Sequence, residues 1–164
     1  MALKHGIYIL SLSLSLILVG PTLIWAAPGD SALIKSRQDK LRDLGGAFKA
    51  IDDELKKRNP DWDNIILPNA QTVQSRSSYL LTWFPKGSGP ESRVKTYALP
   101  AIWQKADDFN KLGKTMQSEA AKLSQVAAIR DPASLKAQTI ALGKTCKACH
   151  DPYRSPDYEK ENDE

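Results

Sequence analysis

Near the carboxyl end of this 164-residue chain runs Cys146-Lys147-Ala148-Cys149-His150, a C-x-x-C-H pattern. Two thiols three residues apart share one face of a helical turn. There they can add to the two vinyl groups of a porphyrin, and the imidazole that follows can ligate its iron. The pattern therefore reads as covalent attachment of one c-type haem through Cys146 and Cys149, with His150 as the axial ligand. Three other readings of the same residues compete. A redox dithiol draws its thiolate from a helix N-terminus, whereas here the helical pattern precedes the cysteines. A zinc site needs about four ligands, and the chain has two Cys and two His, of which His5 lies in a segment that reads as removable. A structural disulfide leaves His150 without a role. Because so little chain follows His150, any second axial ligand must come from upstream.

Residues 1–26 read as a secretory signal. Lys4 supplies the positive start, Ile7 to Val19 is an uncharged and mostly apolar run, and Pro21 breaks it before Ile24-Trp25-Ala26, an approximate small-x-small cleavage site. The alternative is a retained anchor, since the apolar stretch from Gly6 to Ala27 is long enough to span a bilayer. Cleavage is the expectation, with no stable membrane span afterwards. Either way the remainder is exported, which places it in the bacterial periplasm, where thioether attachment of haem takes place.

What remains after residue 26 is one ordinary domain. Its charge is uneven: residues 27–154 carry 21 Lys and Arg against 14 Asp and Glu, a net +7, whereas residues 155–164 carry one Lys and five acids, a net −4. That acidic tail has no apolar periodicity and is expected to stay solvated and disordered. The basic body can steer an acidic redox partner. No interleaving of aromatic and basic residues points to nucleic acid.

Four segments carry helical period, and no segment of comparable length alternates with period two. The first is expected over residues 32–58, with Ser31 as its cap and Asn59-Pro60 as its stop. Its seam is Ile34, Arg37, Leu41, Leu44, Phe48, Ile51 and Leu55. The second is expected over residues 67–81, with Pro68 in its first turn and the seam Ile66, Ala70, Val73, Ser77, Leu80, Phe84. The third is expected as one helix over residues 100–130, about 45 Å long, with the seam Ile102, Ala106, Phe109, Gly113, Met116, Ala120, Leu123, Ala127. The fourth opens on Asp131-Pro132, a cap followed by proline at the first helical position. Its inner face is Leu135, Gln138, Leu142, Cys146 and Cys149. The expected fold is all-α: an antiparallel up-down-up-down four-helix bundle over residues 27–154 holding a covalent haem. The stretch from Pro85 to Leu99 is its one loose crossover.

Within this frame Arg37 is the only charged member of an apolar seam. It can pair with a haem propionate, or snorkel to water from the bundle's open end. Met116 is the one methionine left after signal removal. As a packing residue it leaves the iron five-coordinate; as a distal ligand it makes a six-coordinate, low-spin electron carrier. Gly45, Gly46, Gly113 and Gly143 either admit close approach of helices or haem, or are tolerated helix defects. Trp62, Trp83 and Trp103 read as core or porphyrin cover. The run from Asp52 to Arg58 reads as a solvated face with i,i+4 pairs.

The chain resembles the cytochrome c-prime family, the class II c-type cytochromes, over nearly all of residues 31–154. The stretch from Gly143 to Arg154 around the C-x-x-C-H is similar to the family's haem-binding end. Leu33-Ile-Lys-Ser-Arg37-Gln38, with Leu41 and Gly45-Gly46, is similar to its opening helix. Trp83-Phe84, the Gly-rich loop and Pro100-Ala-Ile-Trp103 stand at family-like places. The resemblance implies that Leu41 occupies the distal position, which is Met in low-spin relatives. It implies that Arg37 lies near a propionate and Arg154 near the iron on the proximal side. It also implies nitric oxide or carbon monoxide as ligands and a homodimer. Pro152 departs from the pattern, since it cannot donate a backbone hydrogen bond and should bend the helix, displacing Arg154. The expected function is gas binding or periplasmic electron transfer. Enzymatic activity is not expected, because the exported chain has no second His to serve as a distal acid–base group.

Overall fold

The computed structural model describes residues 29–162. The signal segment lies outside them. The described chain forms α1 (Gly29–Glu54), a π-turn (Trp62–Ile66), α2 (Leu67–Ser78), a 3-10 turn (Leu80–Trp83), a second 3-10 turn (Pro90–Ser92), α3 (Ala101–Gln104), α4 (Ala106–Ile129), α5 (Pro132–Tyr153) and α6 (Asp157–Asn162). The four long helices are antiparallel neighbours in chain order. Arg76 on α2 pairs with Asp43 on α1 at 2.6 Å, while at the other end the Asp61 amide donates to Glu54 Oε1 at 2.8 Å. Gln117 on α4 donates to the Ser77 and Ser78 carbonyls, both at 3.1 Å. Gln138 on α5 donates to the Glu119 carbonyl at 3.0 Å. Contacts climb one helix as they descend the next, which is the up-down-up-down bundle.

The seams explain the packing. Ile34, Leu44, Ile51, Ile66, Ala70, Val73, Met116, Ala120, Leu123, Ala127, Leu135 and Leu142 are all buried. Burial of side chains of this size stabilises by roughly 1.5–3 kcal/mol each for the larger ones. Gly113 lets α4 close on the 3-10 turn after α2: a Cβ there would collide with the Leu81 side chain, whose Cγ would stand only 3.0 Å away. The α4–α5 connection is tight. Arg130 takes a left-handed conformation (φ 60°), and Asp131 then caps α5 by accepting from the Ser134 amide at 2.9 Å.

The first helix begins at Gly29, so Ser31 lies inside it instead of capping it, and the second ends at Ser78; four further differences from expectation have a tertiary reason. The third helix is not continuous: Lys105 (φ −120°, ψ 48°) separates α3 from α4, and Ala106 is exposed instead of inward-facing. The short α3 is turned so that Ile102 enters a second cluster with Phe109 and Tyr153 and Trp103 Nε1 reaches the Phe84 and Pro85 carbonyls at 3.2 and 3.0 Å. α1 ends at Glu54 instead of Arg58, because the buried Glu54 carboxylate turns to accept the Asp61 amide and pairs with Lys57 at 2.6 Å. The crossover is fastened, not loose, as described below. The acidic tail, expected to be disordered, forms α6.

Candidate haem-attachment site

Cys146, Cys149 and His150 occupy the last turns of α5. Both cysteines are partly buried and free of any disulfide, and Cys146 packs against the main core. Burial raises the pKa of Cys146; burial, then the neighbouring Cys146, push Cys149 up to about 11. Both groups are neutral thiols at pH 7, the reverse of a redox dithiol, whose chemistry requires a lowered pKa. Among the described residues no group of three or more His, Cys, Asp or Glu could hold a metal ion, so a zinc site finds no support. His150 retains solvent-accessible surface, yet the protein packed around its ring, and then the charge of Arg154, push its pKa down to about 4. It is a neutral imidazole with a lone pair available, the form that ligates iron.

The register between α1 and α5 follows from one contact. A Cβ on Gly143 would lie 3.5 Å from Phe48 Cζ, so Phe48 and Gly143 share a level. Seven residues along a helix return to nearly the same face. Seven back along α1 from Phe48 is Leu41; seven forward along α5 from Gly143 is His150. The antiparallel pairing thus brings Leu41 to within about a turn of the level of His150. α5 packs broadly on α4 and only sparsely on α1, the arrangement that admits a flat macrocycle between α1 and α5. A reduced cysteine pair on one face, a neutral imidazole beside it and an apolar facing helix fit a covalently held haem.

Met116 is buried in the main core. The Gln138–Glu119 contact sets the α4–α5 register and puts Met116 near the level of Ala141, about 13 Å along α5 from His150. Gly45 and Gly46 do not serve close helix packing, since a Cβ on either would meet nothing within 4 Å. Trp83 is core, with Lys40 Nζ 5.7 Å above its ring.

Arg37 does not reach for water. It is only 2% exposed, so it does not snorkel, and its terminal nitrogens are directed at the crossover. Nη1 donates to Ser88 Oγ at 2.9 Å and to the Trp83 carbonyl at 3.4 Å. Nη2 donates to the Ser88 carbonyl at 2.9 Å and to Thr96 Oγ1 at 3.0 Å. The guanidinium also stacks 4.8 Å from the Phe84 ring centroid. Burial lowers its pKa, with Glu91 acting in the opposite direction. The loop hydroxyls satisfy the buried cation, a role the seam pattern could not reveal because its partners lie about fifty residues away.

Arg154 is likewise placed by contacts that were not foreseen. Despite Pro152, α5 runs on to Tyr153, and the Arg154 amide still donates to the His150 carbonyl at 3.0 Å. The chain then forms an isolated antiparallel bridge between Arg154 and Ala98. Arg154 Nη2 donates to Glu159 Oε1 on α6 at 2.7 Å, and its guanidinium lies 4.5 Å over the Tyr158 ring. A signal for α6 was present: Ser155-Pro156 repeats the cap-then-proline signature of Asp131-Pro132, and Ser155 Oγ accepts from the Asp157 amide at 3.3 Å.

A family model described as cytochrome C' matches residues 32–154. A cytochrome c-554 of Cereibacter sphaeroides is 46% identical over 105 residues, covering 63% of this chain and 78% of that one. The cytochrome c' of Rhodospirillum rubrum is 30% identical over 139 residues, covering 82% of this chain and 89% of that protein. Among solved structures, the cytochrome c' of Thermochromatium tepidum superimposes with a TM-score of 0.71 at 25% identity, over 77% of this chain and 96% of that one. A nitric oxide complex of a cytochrome c prime variant from Alcaligenes xylosoxidans superimposes with a TM-score of 0.68 at 28% identity, over the same 77% and 96% of its own length. With the bundle, the C-x-x-C-H at its carboxyl end and these likenesses together, the chain belongs to the cytochrome c' family of class II c-type cytochromes.

Proposed function

We propose that this is an exported, periplasmic cytochrome whose single haem c is held by Cys146 and Cys149, ligated by His150 and open to nitric oxide or carbon monoxide on the side of Leu41. Such a haem supplies an iron that cycles between ferric and ferrous states and takes up diatomic gases. The observation that supports the reading is the Phe48–Gly143 proximity, a register that puts Leu41 near the level of His150. A leucine there has no lone pair to offer the iron, so the sixth position is left to an incoming ligand. Its side chain also excludes water and presents no hydrogen-bond donor to an anion, whose burial is costly. A neutral diatomic needs only that Leu41 move aside. The six-coordinate alternative through Met116 is disfavoured by the distance of that residue's level from His150 and by its place in the core.

The same haem can pass electrons, and the basic body suits an acidic redox partner. Pairing into a homodimer is part of the proposal. The exposed Tyr79 and partly exposed Leu33 line a shallow cleft between α1 and α2 with Ser36, Lys40 and Ser75, a face that a second copy could cover. The deciding experiment is the absorption spectrum of the reduced, exported protein with and without nitric oxide. Broad high-spin bands that change on adding the gas support the proposal. Sharp, split low-spin bands indifferent to the gas would replace it with the six-coordinate carrier.

A further inference from the structure

The cytochrome c' match stops at Arg154, and the chain continues beyond it into α6. α6 has only six residues, too few for a helix to persist by its own hydrogen bonds. It is held from outside, almost wholly by charge and aromatic contacts. Glu159 takes Arg154 Nη2 at 2.7 Å. Tyr158 lies under the same guanidinium at 4.5 Å and meets Tyr97 edge-on, with centroids 5.2 Å apart. Glu161 accepts from Tyr97 Oη at 2.7 Å and pairs with Lys95. The Ser155 amide donates to the Tyr97 carbonyl at 2.7 Å. The acidic tail therefore closes onto the basic segment preceding α3, and the residue it grips is the cation one turn beyond His150.

We infer that α6 is a salt-sensitive latch in which Glu159 is a positioning residue, holding Arg154 beside His150 and setting the charge that an iron ligated there would experience. The inference rests on the haem reading of His150 given above. Arg154 cannot leave that neighbourhood by its backbone, which is bonded to the His150 carbonyl and bridged to Ala98. Its side chain is free to choose direction only when Glu159 lets go. With the latch closed the cation is fixed and neutralised; with it open the positive charge stands uncompensated one turn from the ligand. A cation near the iron favours the ferrous state, so opening the latch raises the reduction potential. Because the grip is carried by ion pairs at the surface, ionic strength opens it.

The test combines potentiometry of the haem-loaded protein with amide hydrogen exchange. Glu159→Gln should raise the reduction potential, Glu159→Asp should restore it in part, and high salt should carry the wild type toward the Glu159→Gln value. In an Arg154→Gln background the effect of Glu159→Gln should fall to less than half. Amides of residues 157–162 should exchange at least tenfold faster in Glu159→Gln than in the wild type. Two results overturn the inference: a potential unmoved by Glu159→Gln, or a shift of equal size with and without Arg154, which would mean that Glu159 acts only as one more surface charge. Absence of covalent haem after export would instead sink the haem reading, while the exchange measurement would still report whether the tail is latched.

Discussion

Arg37→Gln is the substitution that best separates what the fold asks of this residue from what a haem would. In the structure the guanidinium makes three bonds of 2.9–3.0 Å to Ser88 and Thr96 and one long bond to the Trp83 carbonyl. Hydrogen bonds to charged groups contribute roughly 1.5–3 kcal/mol each. The three short ones would total several kcal/mol before the cost of burying the cation, the same burial that lowers the pKa of Arg37. Glutamine is shorter and neutral: it removes that cost but can reach one acceptor at most and strands the others. The net loss expected is about 3 kcal/mol, equivalent to a fall of about 10 °C in the melting temperature of a domain this size. The assay is thermal unfolding followed by circular dichroism, together with amide exchange across residues 84–97. Exchange in that loop should accelerate and the reduction potential should stay within a few millivolts of the wild type, because Arg37 acts on the loop. If stability and loop exchange are unchanged while the potential shifts, the guanidinium serves a propionate and the clamp argument is wrong.

Cys146→Ser combined with Cys149→Ser should abolish haem that survives acid–organic solvent extraction; haem retained on that variant would contradict the attachment assignment. Leu41→Met should convert the reduced spectrum to six-coordinate low-spin, and Leu41→Ala should speed nitric oxide binding, both read by absorption and stopped flow. Met116→Leu should leave the spin state unchanged and cost less than about 1.5 kcal/mol, as volume-conserving core swaps do. Gly113→Ala should cost about 1 kcal/mol net in denaturant unfolding, the collision with Leu81 outweighing the gain in helix propensity.

The bundle was legible because its seams obey a single period. Every member of the second seam from Ile66 to Leu80 is buried, and proline at Pro68 and Pro132 marks helix starts as the chemistry of a missing amide requires. The proposed attachment site can be read for a related reason: its three residues lie within about one turn of α5, so spacing alone brings them together. Leu41 lay on a recognisable seam, but its level with His150 depends on how far α1 slides against α5. No periodicity reports that; the Phe48–Gly143 contact does. The break at Lys105 was invisible for the opposite reason. The inward pattern of residues 101–129 runs on across Lys105, and the break there accompanies the bonds of Trp103 to carbonyls on the crossover, a tertiary contact that local propensity does not report.

The charges divide along the same line. Seam position singled out Arg37 as the one charge on an apolar face, and the two partners offered for it from the sequence were a propionate and water. Around that cation the protein also sets neutral oxygens on a loop, which a search for opposite charge passes over. At the other end the net charges of body and tail did predict attraction in sign, +7 against −4, yet composition alone made the tail read as disordered. What turned attraction into structure was a cap and a proline at Ser155-Pro156 and two tyrosines, Tyr97 and Tyr158, with a ring-edge contact between them. An acidic tail with no such directional contacts would only screen the body. This one is fixed to Lys95, Tyr97 and Arg154, and that arginine is fixed to the turn that carries His150.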